Sequence, residues 1–116
     1  MSLTLKNIID TLHLTVLTEE RDFIAVQPQG GYVSDLLSCV MAGARSGNIW
    51  ITLQAHVNVI AVAALQDLAA VIITENTQVE PQVVQKANQQ AVILLSTPLP
   101  SYEVAGRLWE MGIRPD

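Results

Sequence analysis

Gly30-Gly31-Tyr32-Val33-Ser34-Asp35-Leu36-Leu37 lies between two kinds of hydrophobic pattern. Before it runs Phe23 to Val26, a short apolar stretch of strand character, and then the loop Gln27-Pro28-Gln29. After it Val33, Leu36, Leu37, Val40, Met41 and Ala44 recur at helical spacing, up to a stop at Ser46-Gly47. The stretch reads as a strand–turn–helix junction whose double glycine makes the turn. The same grammar returns three times downstream. Ile49 to Leu53 reads as a strand leading to a helix over His56 to Leu68. Ala70 to Thr74 leads through Glu75 to Val79 into a helix from Pro81 to about Gln90. Val92 to Leu95 leads through Pro98 and Pro100 into a helix capped by Ser101 and ended by Gly112.

Upstream, Leu5, Ile8, Ile9 and Leu12 mark one face of a short helix, capped by Thr4 or Ser2 and stopped at His13. Leu14 to Leu17 reads as a first strand, and Thr18 to Asp22 as a charged connector. The predicted order is α-β-β-α-β-α-β-α-β-α. Strands alternating with helices imply crossover connections and parallel pairing. The fold class is therefore α/β: one three-layer domain over residues 1–116, with a mainly parallel sheet of four to five strands flanked by helices.

Half of the 116 residues are hydrophobic and 15% are charged. Two readings account for so much aliphatic content. A parallel sheet covered on both faces needs it, and so does a subunit interface. The helix from His56 is apolar on nearly every side, which puts a second copy of the chain among the expected partners. The net charge is −5, and six basic residues are scattered singly. Nucleic-acid affinity needs clustered cations, so the sequence argues against DNA, RNA or a membrane surface as partner. Cys39 is the one cysteine, which excludes an intrachain disulfide. With His13 and His56 it forms no metal-ligand spacing. No signal peptide is recognised, because Lys6 and Asp10 interrupt Leu3 to Leu12. The run from Val57 to Leu65 is too short to span a bilayer. The expectation is a cytoplasmic protein without cofactor.

If the sheet is parallel, the strand–helix junctions gather at the carboxyl ends of the strands, where α/β proteins bind ligands. The candidate ligand-binding residues are Gly30, Gly31, Ser34, Asp35, Thr52, Gln54, His56, Asn58, Thr74, Ser96 and Thr97. Each has a plainer explanation. Gly30-Gly31 could cradle an anion on backbone N–H groups, or supply a turn with positive φ. It is neither a P-loop nor a dinucleotide fingerprint. Ser34 and Asp35 suit the first turn of a helix as caps. Thr74, Ser96 and Thr97 are common turn residues. Thr52, Gln54, His56 and Asn58 form the densest polar group. No acid adjoins His56 and no cysteine pairs with it, so a catalytic arrangement is not recognisable. Trp50 reads as core or interface.

The quoted segment, followed by Ser38, resembles the DRTGG domain family. So do Leu5-Lys6-Asn7-Ile8-Ile9, Leu12 to Thr18, Gly47-Asn48-Ile49-Trp50-Ile51-Thr52, Asn58 to Ala63 and Leu94-Leu95-Ser96-Thr97-Pro98. One departure is the order Arg21-Asp22, where the family has Asp-Arg. The resemblance implies a small α/β regulatory domain, found alone or attached to phosphotransacetylases, CBS-containing pyrophosphatases and HPr kinase. It implies ligand binding or subunit association rather than catalysis. Three readings are carried forward. The first is a non-catalytic sensor of a small anionic or nucleotide-like ligand, acting as a homodimer. The second is an assembly or protein-docking module without ligand. The third, a phosphotransfer enzyme, ranks last because cations to stabilise a migrating phosphoryl group are scarce.

Overall fold

A computed structural model describes residues 3–115. The chain runs through α1 (Leu5–Leu12), β1 (Thr15–Val16), β2 (Gly31–Val33), α2 (Leu37–Gly43), β3 (Ile49–Thr52), α3 (Val57–Leu65), β4 (Ala70–Ile73), α4 (Pro81–Gln89), β5 (Leu94–Ser96) and α5 (Ser101–Met111). The element order matches the sequence reading. The second strand, however, is built from different residues.

Phe23 to Val26 is not a strand. Its carbonyls serve α1 instead: Leu5 N–H donates to Val26 O at 2.8 Å and Lys6 N–H to Phe23 O at 3.2 Å. These are among the first N–H groups of the helix, which have no partner inside it. With two of its carbonyls taken by a helix end, and with Ala25 N–H and Val26 N–H turned back to Asp22 O and Phe23 O, the segment is a turn rather than a ladder strand. Thr4 completes this end with a capping box to Asn7, while Ser2 lies outside the described residues. His13 takes the left-handed stop at φ 55°.

The strand is Gly31–Val33, two residues inside what reads as a turn and helix. The indole of Trp50 explains the difference. Its Nε1–H donates to Ser34 O at 2.8 Å, and Ser34 N–H donates to Ile51 O at 3.3 Å. Both bonds hold Ser34 extended beside β3. Helix α2 therefore starts only at Leu37, from an extended Leu36 with no side-chain cap. Ser34 and Asp35 thus stand ahead of the helix rather than in its first turn. Val33, Leu36 and Met41, read as inward-facing, are at least half exposed.

The sheet order is β1-β5-β4-β3-β2. Strands β2 to β5 are parallel, and β1 joins antiparallel with Thr15 opposite Ser96. Alternation along the strands sorts two cores. Ile49, Ile51, Ala70, Ile72, Ile93 and Leu95 face α1 and α5. Trp50, Val71, Ile73, Val92 and Leu94 face α2, α3 and α4. Successive strands lie side by side with their helices on one face, so the parallel strands have no point where their order reverses. Helix α3 is less uniform than its composition: Val59, Ile60, Val62 and Ala63 are buried, while Val57, Ala61 and Leu65 look outward.

Candidate functional site

The carboxyl ends of β2, β3, β4 and β5 deliver Ser34-Asp35, Thr52-Leu53-Gln54, Thr74-Glu75 and Thr97 to one rim of the sheet. Much of this polarity closes on itself. Asp35 Oδ1 accepts the Thr52 hydroxyl at 2.7 Å and the Leu53 N–H at 2.9 Å, tying β2 to β3. Thr52 Oγ1 also accepts the Gln54 N–H at 3.1 Å. Ser34 Oγ accepts the Leu36 N–H and Thr97 Oγ1 the Leu99 N–H. The hydroxyl of the fully buried Thr74 hydrogen-bonds the Ser101 hydroxyl at 2.5 Å. Among the described residues no buried side-chain polar atom lacks a hydrogen-bond partner.

Glu75 and Asn76 carry consecutive left-handed φ values of 62° and 56°. Thr77 N–H donates to Thr74 O at 3.2 Å and closes the turn. Glutamate is unusual in that conformation. Here it gains a role: Oε2 accepts the Ser101 N–H at 2.8 Å, capping α5, whose own cap residue Pro100 offers no side-chain acceptor. The carboxylate also complements the positive end of the helix.

Beside this closed network lies an open cleft of about 310 Å³ between the start of α3 and the side of α4. His56 caps α3, with Nδ1 accepting the Asn58 N–H at 3.1 Å. A neutral ring bonded this way carries its proton on Nε2, which is left as a donor. Opposite stand Gln82, Gln85, Lys86 and Gln89. Neither the Lys86 ammonium nor these amides make a hydrogen bond or ion pair among the described residues. The side chains of Gln54 and Asn58 are likewise exposed and uncommitted. Glu80 lines the same cleft and sets a negative charge against Lys86. An amide-and-ammonium wall facing an imidazole donor can hydrogen-bond phosphate or hydroxyl oxygens. Among the described residues no group of three or more His, Cys, Asp or Glu is placed to hold a metal ion.

The rest of the candidate set divides. Ser96 and Thr97 line a second cleft of about 230 Å³, with Asn76, Thr77 and Thr15. Gly30 and Gly31 lie at the other edge, because Gly31 pairs with Ile49 at the start of β3. The positive φ expected of the pair belongs to Gly30, at 119°. Its tight site is bordered by Asn48 Nδ2, which donates to Gln29 O at 3.1 Å. The structure therefore gathers Ser34, Asp35, Thr52, Gln54, His56, Asn58 and Thr74 near one another, sets Ser96 and Thr97 further along the rim, and separates the glycines. The α4 wall was missed by the sequence reading. Its signal was present: 82, 85, 86 and 89 are spaced i, i+3, i+4, i+7, a polar stripe on one helical face.

Among the described residues no helix is long and apolar enough to cross a membrane. The family model described as "DRTGG domain" matches residues 33–111. No curated protein matches the chain. Among solved structures, the fold is similar to the CBS and DRTGG domains of the regulatory region of Clostridium perfringens pyrophosphatase, complexed with the activator diadenosine tetraphosphate. The TM-score is 0.73 at 16% identity, over 89% of this chain and 44% of that one. The present chain thus spans less than half of that regulatory region.

Proposed function

This chain belongs to the DRTGG domain family, and on that basis we propose that it is a non-catalytic regulatory domain that binds a small anionic or nucleotide-like ligand at the carboxyl rim of its sheet, as a homodimer. The observation that carries the reading is the cleft between α3 and α4. It pairs the His56 Nε2 donor with Lys86 and three glutamine amides in about 310 Å³. That volume falls at the lower end of small-molecule sites. The N-terminus of α3 adds a favourable field for negative charge. His56, Gln54 and Asn58 are assigned as contacts from the sequence set, and Lys86 as the charge partner. Asp35, Thr52 and Thr74 hold the rim in shape. The pyrophosphatase region that shares this fold binds a dinucleotide polyphosphate, which supports the ligand class without identifying the molecule.

The test is a thermal-shift titration with AMP, ATP, diadenosine tetraphosphate and inorganic phosphate. A ligand at one hundred times its Kd adds about 2.7 kcal/mol to the native state. The melting temperature should climb with ligand concentration, and His56→Ala or Lys86→Glu should abolish the climb. A flat response across the panel at millimolar ligand overturns the reading.

An assembly module without ligand is the second reading. It is favoured by apolar side chains that the monomer leaves outside, among them Val33, Leu36, Leu65 and Trp109. A dimer that ignores every nucleotide in the panel would select it.

A further inference from the structure

Strand β2 ends the sheet, and among the described residues no strand pairs with its outer side. Ile49 N–H donates to Gly30 O at 2.9 Å, and Ser34 N–H donates to Ile51 O at 3.3 Å. Residues of even number thus turn their backbone groups toward β3. By alternation Gly31 and Val33 turn theirs outward. Natural edge strands are usually blunted by a lysine, a proline or a bulge. At three residues β2 is itself short, but its register with β3 runs without a bulge and it carries no lysine or proline. Beside it, an apolar groove of about 230 Å³ lies between β2 and α5, walled by Val33, Ile51, Leu108, Trp109 and Ile113. Val33 and Trp109 are 51% and 52% exposed.

We propose that the outer edge of β2 and the groove beside it form the surface through which two copies of this chain pair antiparallel, about a two-fold axis at Tyr32. The proposal deepens the dimeric part of the reading above and rests on it. Three features select a second copy as the occupant. First, the backbone parity is self-matching. An axis at Tyr32 sets Gly31 opposite Val33 of the second copy, and residues with outward N–H and C=O groups form hydrogen-bonded pairs. Second, the shape is self-matching. Gly31 has no side chain and leaves a gap next to Ile113, whose Cγ2 lies 3.6 Å from where a Cβ would stand. Val33 of the other copy fills that gap on the same face. Third, the charges fit the antiparallel sense. Arg114 lies at the amino end of the strand, its carbonyl 3.4 Å from a Cβ placed on Gly30, and its guanidinium stacks on Trp109 at 5.2 Å. Asp35 lies two residues past the carboxyl end, where its bonds to Thr52 and Leu53 fix a negative charge at that end of the strand. The two-fold brings the arginine end to the aspartate end, whereas parallel pairing would bring like charges together. The outward stripe of α3 offers neither backbone groups nor charge to set a register.

The experiment is light scattering of the full chain across a concentration series, with amide hydrogen exchange at each concentration. A dimer is expected in which the Gly31 and Val33 amides become protected as concentration rises. Val33→Lys should weaken association at least tenfold, and Arg114→Glu should weaken it while far-UV circular dichroism is unchanged. Leu65→Glu on α3 should leave it intact. If Val33→Lys fails to fold, the exposed Arg114→Glu variant decides. A wild-type monomer at the highest soluble concentration overturns the proposal. So does a dimer in which these two amides exchange freely, or one dissociated by Leu65→Glu alone. Thermal shifts with nucleotide on the monomeric Val33→Lys variant report the ligand site separately, so the two readings fail independently.

Discussion

Asp35 shows how one side chain changes meaning once its neighbours are known. In the sequence it stands four residues before Cys39 and suits a helix cap or a ligand contact. In the fold one carboxylate oxygen holds a hydroxyl and a backbone N–H from β3. Hydrogen bonds to a charged acceptor contribute more than neutral ones. Thr52 is fully buried, so its hydroxyl has no water to turn to. We predict that Asp35→Ala costs about 1–2 kcal/mol of folding stability with or without ligand. Chemical denaturation measures this, and an unchanged midpoint would show that the bridge contributes nothing. The same logic separates His56 from its surroundings. Its Nδ1 is committed to capping α3, and its Nε2 has no partner among the described residues. Residue type alone announced a polar group here. Only the partners show which atoms are spent.

At the scale of the element, two helical glycines look alike in sequence and differ in the fold. Gly43 ends α2 under the ring of Tyr32, where an added Cβ would stand 2.6 Å from the ring carbon and the hydroxyl. Gly106 lies inside α5, and among the described residues no atom beyond its own helix backbone and chain neighbours lies within 4 Å of its Cβ position. Replacing an exposed mid-helix glycine by alanine gains about 1 kcal/mol. We predict that Gly106→Ala raises the melting temperature by about 4 °C, whereas Gly43→Ala lowers it because overpacking costs about 1–3 kcal/mol. A pair of melting curves checks both signs. The elements also show where pattern reading succeeds. Helices α1, α4 and α5 and strands β3 and β4 carry long, regular patterns, and they lie within a residue or so of where the spacing puts them. Strand β2 carries only three residues, one of them glycine. A pattern that short cannot be told from the start of a helix, and Phe23 to Val26 is the more strand-like string.

For the whole molecule, the deciding feature is that β3 and β4 feed both cores. Ile49 and Ile51 pack toward α1 and α5, while Trp50 between them packs toward α2, α3 and α4. Neither layer can lose its sheet without exposing the other. We predict one cooperative unfolding transition. Fluorescence of single-tryptophan variants, retaining Trp50 in one layer or Trp109 at the other, should give midpoints that coincide with circular dichroism at any one protein concentration. Separate midpoints would show that the layers unfold independently. The amino-acid sequence by itself determined the α/β class, the order of ten elements, the family resemblance and a polar rim at the strand ends, because these follow from local periodicity and residue type. The tertiary structure alone decided three things: which residues form the edge strand, that the glycines leave the rim, and that α4 supplies the open wall of the cleft. Each depends on a contact between segments far apart in the chain. The Trp50 indole holds Ser34, the carbonyls of Phe23 and Val26 cap α1, and the side of α4 comes to face His56.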